Sequence, residues 1–444
     1  MKAREFLPFF SVRSVTPAMA AVLLFVGSAI AQKALGLHRF QLVDGSNPMG
    51  NLISDNAGSL YGTTEYGGTS FYGTVFKFAP PAKQGGAWTL TTLYSFTNTG
   101  DGARPTNGLV FDNKGNLYGT TSDTDAGGYG EIFQLSPPTT EGGTWTESVL
   151  YHFRGGVDGA NPLGGLVSDE KGNLYGTTTY TVFELSPPSQ MGGAWAFNLL
   201  HKFSGGTTDG TQPHDGLVRD QLGNLYGTTL WGGSQPNKWC GPIECGTVFE
   251  LSPPAAPGGA WTERIIHSFG GGDDGFNPEG GLTLDLNGRL YGTTSSGGTS
   301  LAGTVFELAP PVEPGGSWTE TVIHNFSSSS TDGASPMATL IQDRGGNLFG
   351  TTLFGGNTCY YDFTPYGCGV VFELSPPGMR SGTWNEDIIY SFPTTPGGPK
   401  QPWGGVLLDS HGNLFGATTY GGYTNGPCTV DGTVGCGAIY EIVR

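Results

Sequence analysis

The chain has 444 residues with 37 acidic against 20 basic side chains, and its net charge of −17 argues against nucleic acid or an anionic membrane as a partner. Its 77 Gly and 30 Pro approach the level of low-complexity chains. Regular alternating apolar runs between the glycines instead indicate an all-β chain in which glycine punctuates turns.

Residues 1–31 read as a secretory signal peptide. Lys2, Arg4 and Arg13 form a basic leader, Met19 to Ala31 is apolar, and Ala29-Ile30-Ala31 offers a small-x-small cleavage site. The apolar run falls short of the roughly 20 residues a membrane span needs. A retained anchor is the alternative. Cleavage removes three basic residues and Glu5, taking the charge from −17 to −19. No second apolar run follows. Residues 32–444 are therefore expected to form one soluble, monomeric domain that is secreted, periplasmic or held at the cell surface.

The first element after the leader, residues 32–40, is a lone strand. Its Leu37-His38-x-Phe40 matches Leu93-Tyr94-x-Phe96, Leu200-His201-x-Phe203, Ile266-His267-x-Phe269, Ile323-His324-x-Phe326 and Ile389-Tyr390-x-Phe392. In those places the pattern closes a repeat. Seven copies of a unit such as Asp158 to Thr178 then follow, anchored by Tyr61, Tyr118, Tyr175, Tyr226, Tyr291, Phe349 and Phe415. Six steps from residue 61 to residue 415 give a mean period of 59, which signals a solenoid, propeller or array.

Each copy reads as four strands. In the third copy these are Gly165 to Ser168, Leu174 to Thr178, Val182 to Leu185 and a strand from near Trp195 to Phe203. Pro187-Pro188 ends the third strand because proline cannot continue a ladder. Large insertions fall only in the loop between strands two and three. The last copy stops after its third strand, Ala438 to Ile442, so the lone strand 32–40 supplies the missing fourth. The fold expected is a seven-bladed β-propeller of four-stranded blades, closed by the N-terminal strand completing the last blade, with no free edge at the join.

The pattern DGxxP…GLVxDxxGNLYGTT…GTVFELSPP resembles the GloVer tandem repeat of secreted bacterial proteins over residues 34–444. More distantly, DxxGNLY is similar to the blade hairpin of NHL and gluconolactonase-like propellers. The resemblance implies a propeller and export, and brings no activity with it.

Six cysteines fall in the three longest strand two-to-three loops as Cys240/Cys245, Cys359/Cys368 and Cys428/Cys436. In an exported chain this spacing reads as three local disulfides; a shared metal centre is disfavoured because the loops belong to different blades. The same loops carry Trp231, Trp239, Tyr360, Tyr361, Phe363, Tyr366, Tyr420 and Tyr423. Their rings either pack within their own loops or offer a stacking surface for sugar or peptide.

Residues repeated in every blade are expected to be structural. The Asp of DxxGN (Asp55, Asp112, Asp169, Asp220, Asp285, Asp343, Asp409) suits an Asx-type turn on the opposite face. The DGxxP aspartates are read as turn chemistry. A Ca²⁺ ring there has too few oxygens per loop, so no cofactor and no metal is assigned. His38, His201, His267 and His324 occur one per blade and are read as packing or surface residues.

Function is sought where the repeat symmetry breaks. The residues that open strand one at the channel mouth include His214, Asp215 and Glu279, candidates for acid–base or metal chemistry, with Asn51, Asn107 and Trp403 beside them. Solvated turn residues are the plainer reading of that cluster. No nucleophile elbow, phosphate loop, HExxH or CxxC pattern is present. The expected function is a binding or interaction module for polysaccharide or an extracellular protein, acting through the loop-rich face. The alternative is a hydrolase or lyase working at the channel mouth.

Overall fold

The computed structural model describes residues 33–444 apart from positions 84, 124–127, 141, 191, 235–237, 242–243, 257, 314, 362–363, 366, 379–381, 396, 423–427 and 431–432. The expected leader, Phe363, Tyr366 and Tyr423 lie outside the described residues, and Tyr360 and Tyr361 are described by their backbone.

The described chain forms seven four-stranded antiparallel sheets. Blade three is typical, with strands Val167–Ser168, Leu174–Thr178, Thr181–Ser186 and Ala196–Lys202. Strand one is shorter than the sequence suggests. At this end the backbone N–H groups turn to neighbouring blades instead of continuing the ladder, as when Gly281 donates to Asp215 and Gly405 to Asn51.

The ring closes as expected. Lys33–Arg39 pairs antiparallel with the third strand of blade seven, from Lys33 opposite Val443 to Arg39 opposite Ala438. A bulge interrupts this pairing between Gly36 and His38, setting aside Leu37. The same bulge sets aside Leu200 in blade three and Ile323 in blade five. A shared irregularity identifies the N-terminal strand as a true fourth strand, since bulges mark specific positions in a ladder.

Seven apolar clusters fill the seams between consecutive blades. Tyr61, Val75 and Phe96 of blade one pack on Leu109, Leu117 and Phe133 of blade two. The closing seam joins Phe40, Phe415 and Ile439 to Leu52, Leu60, Phe76 and Phe78. The Trp before strand four belongs to this packing: Trp195, Trp261, Trp318 and Trp384 lie edge-on or tilted against the strand-two tyrosine of the preceding blade.

Hydroxyls knit the inner wall. In several blades the first Thr of the YGTT position reaches a backbone carbonyl of the next blade: Thr63 to Asn107 at 2.8 Å, Thr177 to Asp215 at 3.1 Å and Thr351 to Gly404 at 3.0 Å. In blades one, three, four and five the second Thr meets a third-strand Thr, such as Thr178 with Thr181 at 2.7 Å. The DxxGN aspartates make the Asx turns expected of them. Asp169 Oδ1 accepts from Lys171 and Asn173 N–H, and Oδ2 from the Asn173 amide and the Tyr175 hydroxyl.

Candidate functional site

The DGxxP loops bring the symmetry-breaking residues together. His214, Asp215, Glu279, Asn51, Asn107 and Trp403 line one cavity of about 250 Å³ at the mouth of the channel. Their placement follows from the loop geometry. The residue before each DGxxP proline adopts left-handed backbone (φ 57° at Asn47, 55° at Arg104, 57° at Gln212), which turns the chain into strand one.

Three of the nominated residues are committed to the wall. Asp215 Oδ1 accepts from Gly216 N–H at 2.7 Å, while Oδ2 accepts from Gly281 N–H at 2.7 Å and the Thr339 hydroxyl at 2.9 Å. One carboxylate thus ties blade four to blades five and six. Asn51 accepts from Gly405 N–H at 2.7 Å, and Asn107 accepts from Gly108 N–H at 2.7 Å while its amide donates to Leu163 O. These groups narrow the channel and hold its rim.

The others face the cavity with fewer ties. Glu279 accepts from the Ser295 hydroxyl at 2.8 Å. His214 has no hydrogen-bond partner among the described residues, and Trp403 is half-buried. Glu65 and Arg104 also line the cavity and were not singled out from sequence. Burial raises the Glu65 pKa, against smaller opposing effects of a hydrogen bond with Tyr66 and the Arg104 charge. Arg104 also lies 5.4 Å from the Tyr66 ring centre. The signal was present: the residue after YGTT is Glu65 in blade one but uncharged in the other six.

The loop aromatics lie elsewhere. Trp231 pairs with Thr211 in a short two-stranded extension. Trp239 is 43% exposed and covers Gly271, where an added Cβ would come within 2.8 Å of Trp239 Cβ. Tyr420 bridges to Lys400, and Tyr360–Tyr361 forms a hairpin with Thr364–Pro365. All three disulfides form, with Cα separations of 5.2, 5.0 and 5.2 Å. Each supports the rim: the carbonyls of Cys245, Cys368 and Cys436 accept from Asn277, Gln401 and Asn47 N–H of the next DGxxP loop.

The outer strands hold a pattern beyond the sequence reading. The strand-four histidines pack edge-on against Phe40, Phe203, Phe269 and Phe326, and they have a second contact. Each meets the DGxxP Asp that follows it: His38 with Asp44 at 3.2 Å, His201 with Asp209 at 3.3 Å, His267 with Asp274 at 3.2 Å and His324 with Asp332 at 3.6 Å. In blades one and two a tyrosine takes the place, Tyr94 donating to Asp101 at 2.8 Å and Tyr151 to Asp158 at 2.9 Å.

Half-buried glutamates on the next strand four complete several of these groups. Burial raises the Glu147 pKa to about 7, helped by the charges of Asp101 and Glu131, and raises that of Glu320 to about 7, helped by Asp274 and opposed by His267. A carboxyl whose pKa is higher folded than unfolded stabilises the fold fully below its unfolded value, and that stability is lost as pH rises through the folded pKa. In chelator-containing buffer the melting temperature is therefore expected to fall by several degrees from pH 5 to pH 8. Glu147→Leu, copying Leu90 of blade one, should flatten that slope. A melting temperature that rises over the interval would refute the assignment.

The Gloeobacter/Verrucomicrobia repeat matches residues 28–235 and 180–425, two overlapping segments that span most of the chain. The chain belongs to the Gloeobacter/Verrucomicrobia repeat family. The resemblance read from the sequence is thus shown, and each matched segment runs across more than three propeller blades. No curated protein matches the chain significantly. Among solved structures, the Gloeobacter/Verrucomicrobia repeat chain is similar to the gluconolactonase XC5397 of Xanthomonas campestris (14% identity, 93% of this chain and 89% of that chain, TM-score 0.41). It is also similar to a carbohydrate-active enzyme of family AA12 from Trichoderma reesei (11%, 94% and 96%, 0.44) and to a Dyadobacter fermentans protein of unknown function (12%, 93% and 100%, 0.42). At these scores the likenesses assign no function.

Proposed function

We propose that the protein is an exported binding module for carbohydrate, with the ligand held at the channel mouth on the loop-rich face. The observation that carries this reading is the mouth cavity itself. A half-buried Trp403, His214 without a hydrogen-bond partner among the described residues, and the side chains of Glu65, Arg104 and Glu279 line about 250 Å³ of space, room for roughly one sugar unit. A rigid aromatic face with polar groups beside it suits a sugar ring, which has one apolar face and hydroxyls at its edge. Export is supported by the expected leader at residues 1–31 and by three disulfides, which persist in oxidising compartments.

A hydrolase or lyase is the second reading, favoured by the raised pKa of Glu65 in the same cavity as His214. Asp215 is a poor base in either case, because three donors already occupy its oxygens. A glycan array followed by product analysis separates the readings. Binding without cleavage, weakened roughly tenfold by His214→Ala, is expected for a hot-spot residue. Cleavage that His214→Ala and Glu65→Gln abolish would install the enzyme instead. A protein partner captured with no glycan bound would overturn the carbohydrate reading.

A further inference from the structure

We propose that the seams between blades three and four and between blades five and six are binding sites for a divalent transition metal such as Zn²⁺. His201, Asp209 and Glu263 form the first site, and His324, Asp332 and Glu386 the second. In each set the three ligand atoms all lie within 4.8 Å of one another. His324 Nε2 sits 3.4 Å from Glu386 Oε1 and 3.6 Å from Asp332 Oδ1, yet it makes no hydrogen bond. Glu263 Oε1 and Glu386 Oε1 are likewise hidden from solvent without a partner. At the first site His201 Nε2 lies 3.3 Å from Asp209 Oδ1, within hydrogen-bond distance, and Glu263 Oε1 is the atom left over; buried polar atoms that converge on a common point without partners are costly. A cation at that point satisfies all three at once.

The surroundings are those of metal ligands. Asp209 Oδ2 accepts from the Ser204 N–H and hydroxyl, and Asp332 Oδ2 does the same from Ser327. Gly210 and Gly333 N–H hold the other oxygens at 2.7 and 2.6 Å. The rings of His201 and His324 stand edge-on to Phe203 and Phe326, at 4.7 and 4.6 Å between centres. Such outer contacts fix ligand orientation. One imidazole with two carboxylates favours Zn²⁺-like ions over Ca²⁺, which prefers oxygen alone. The three ligands come from two adjacent strand fours and the loop between them, so the ion clasps two blades at the outer rim, away from the mouth.

The chain contains its own controls. At the seam of blades one and two the histidine is Tyr94, and at the closing seam the glutamate position is Leu90, opposite Phe78 as Glu263 is opposite Leu251. The set His267, Asp274 and Glu320 has the same residue types but lines an open groove of about 910 Å³, and its ligand atoms are not gathered within 4.8 Å. No cysteine is free to compete.

The test uses the untagged mature chain, stripped with chelator and titrated with Zn²⁺ against a chromophoric competitor, with metal content measured after gel filtration. Two equivalents are expected, Ca²⁺ should not displace them, and loading should raise the melting temperature. His201→Tyr and His324→Tyr should each lose one equivalent, and the pair should lose both. Tyrosine already occupies the aligned positions in blades one and two, so these variants keep a side chain the fold accepts. Glu263→Leu, copied from Leu90, should repeat the first loss. Zn²⁺ bound in fewer than two equivalents by the native chain, or in equal amount by the double tyrosine variant, would overturn the proposal.

Discussion

Removing residues 33–39 from the mature chain is expected to lower the melting temperature by roughly 10 °C or more. The strand supplies six register pairs to Ala438–Val443. At about 1 kcal/mol net per ladder hydrogen bond the loss is several kcal/mol, and about 2 °C per kcal/mol is reasonable for a chain of this size. Apolar burial adds to it. Ile439, Tyr440 and Ile442 are at most 1% exposed in the closed ring and would face solvent or a second chain. A bare strand edge also invites pairing between molecules. The truncated chain should therefore self-associate, and a peptide of residues 32–40 added in trans should restore part of the lost stability. An unchanged melting temperature would show that the ring does not depend on this closure.

Gly176→Ala should cost about 1–3 kcal/mol, although the residue lies in an ordinary strand. An added Cβ would come within 2.6 Å of Phe183 Cζ and 2.9 Å of Leu166 Cδ2. Both groups belong to the seam cluster of blades two and three and have no room to withdraw. Gly416→Ala should be at least as costly, since its Cβ would meet the buried Tyr440 hydroxyl. Gly36→Ala is the matched control, with nothing within 4 Å of the new methyl. Thermal melts of the three variants decide the point. Equal melting temperatures would mean that the glycine of YG is not a packing requirement.

The fold was legible because its determinants are local and repeat. The DxxGN turn, the YG glycine and the Pro-Pro stop each recur at fixed spacing, and the orphan Leu37-His38-x-Phe40 carries the signature of strand four. The cystine pairs were legible because each lies within one loop. The site was less so. Grouping of His214, Asp215 and Glu279 at one cavity follows from their shared repeat position. That Asp215 is spent on Gly216, Gly281 and Thr339 depends on contacts across three blades, which no local pattern displays. Glu65 and Arg104 each break the repeat, but they lie outside the two positions that open strand one. The pairing of His201 with Asp209 was hidden for another reason: histidine and tyrosine exchange at that position, so the common feature is a polar ring atom beside the DGxxP carboxylate rather than one residue type.

The measurement that bears most directly on the account is the affinity of the best array glycan for three forms of the chain: native, Trp403→Ala, and Trp231→Ala with Trp239→Ala. Titration calorimetry should show binding at least tenfold weaker for Trp403→Ala and within about twofold of native for the loop double variant, as expected when one half-buried aromatic anchors the ligand. The reverse order, with Trp403→Ala binding normally and the double variant failing, would contradict a site at the channel mouth and move it to the cystine loops.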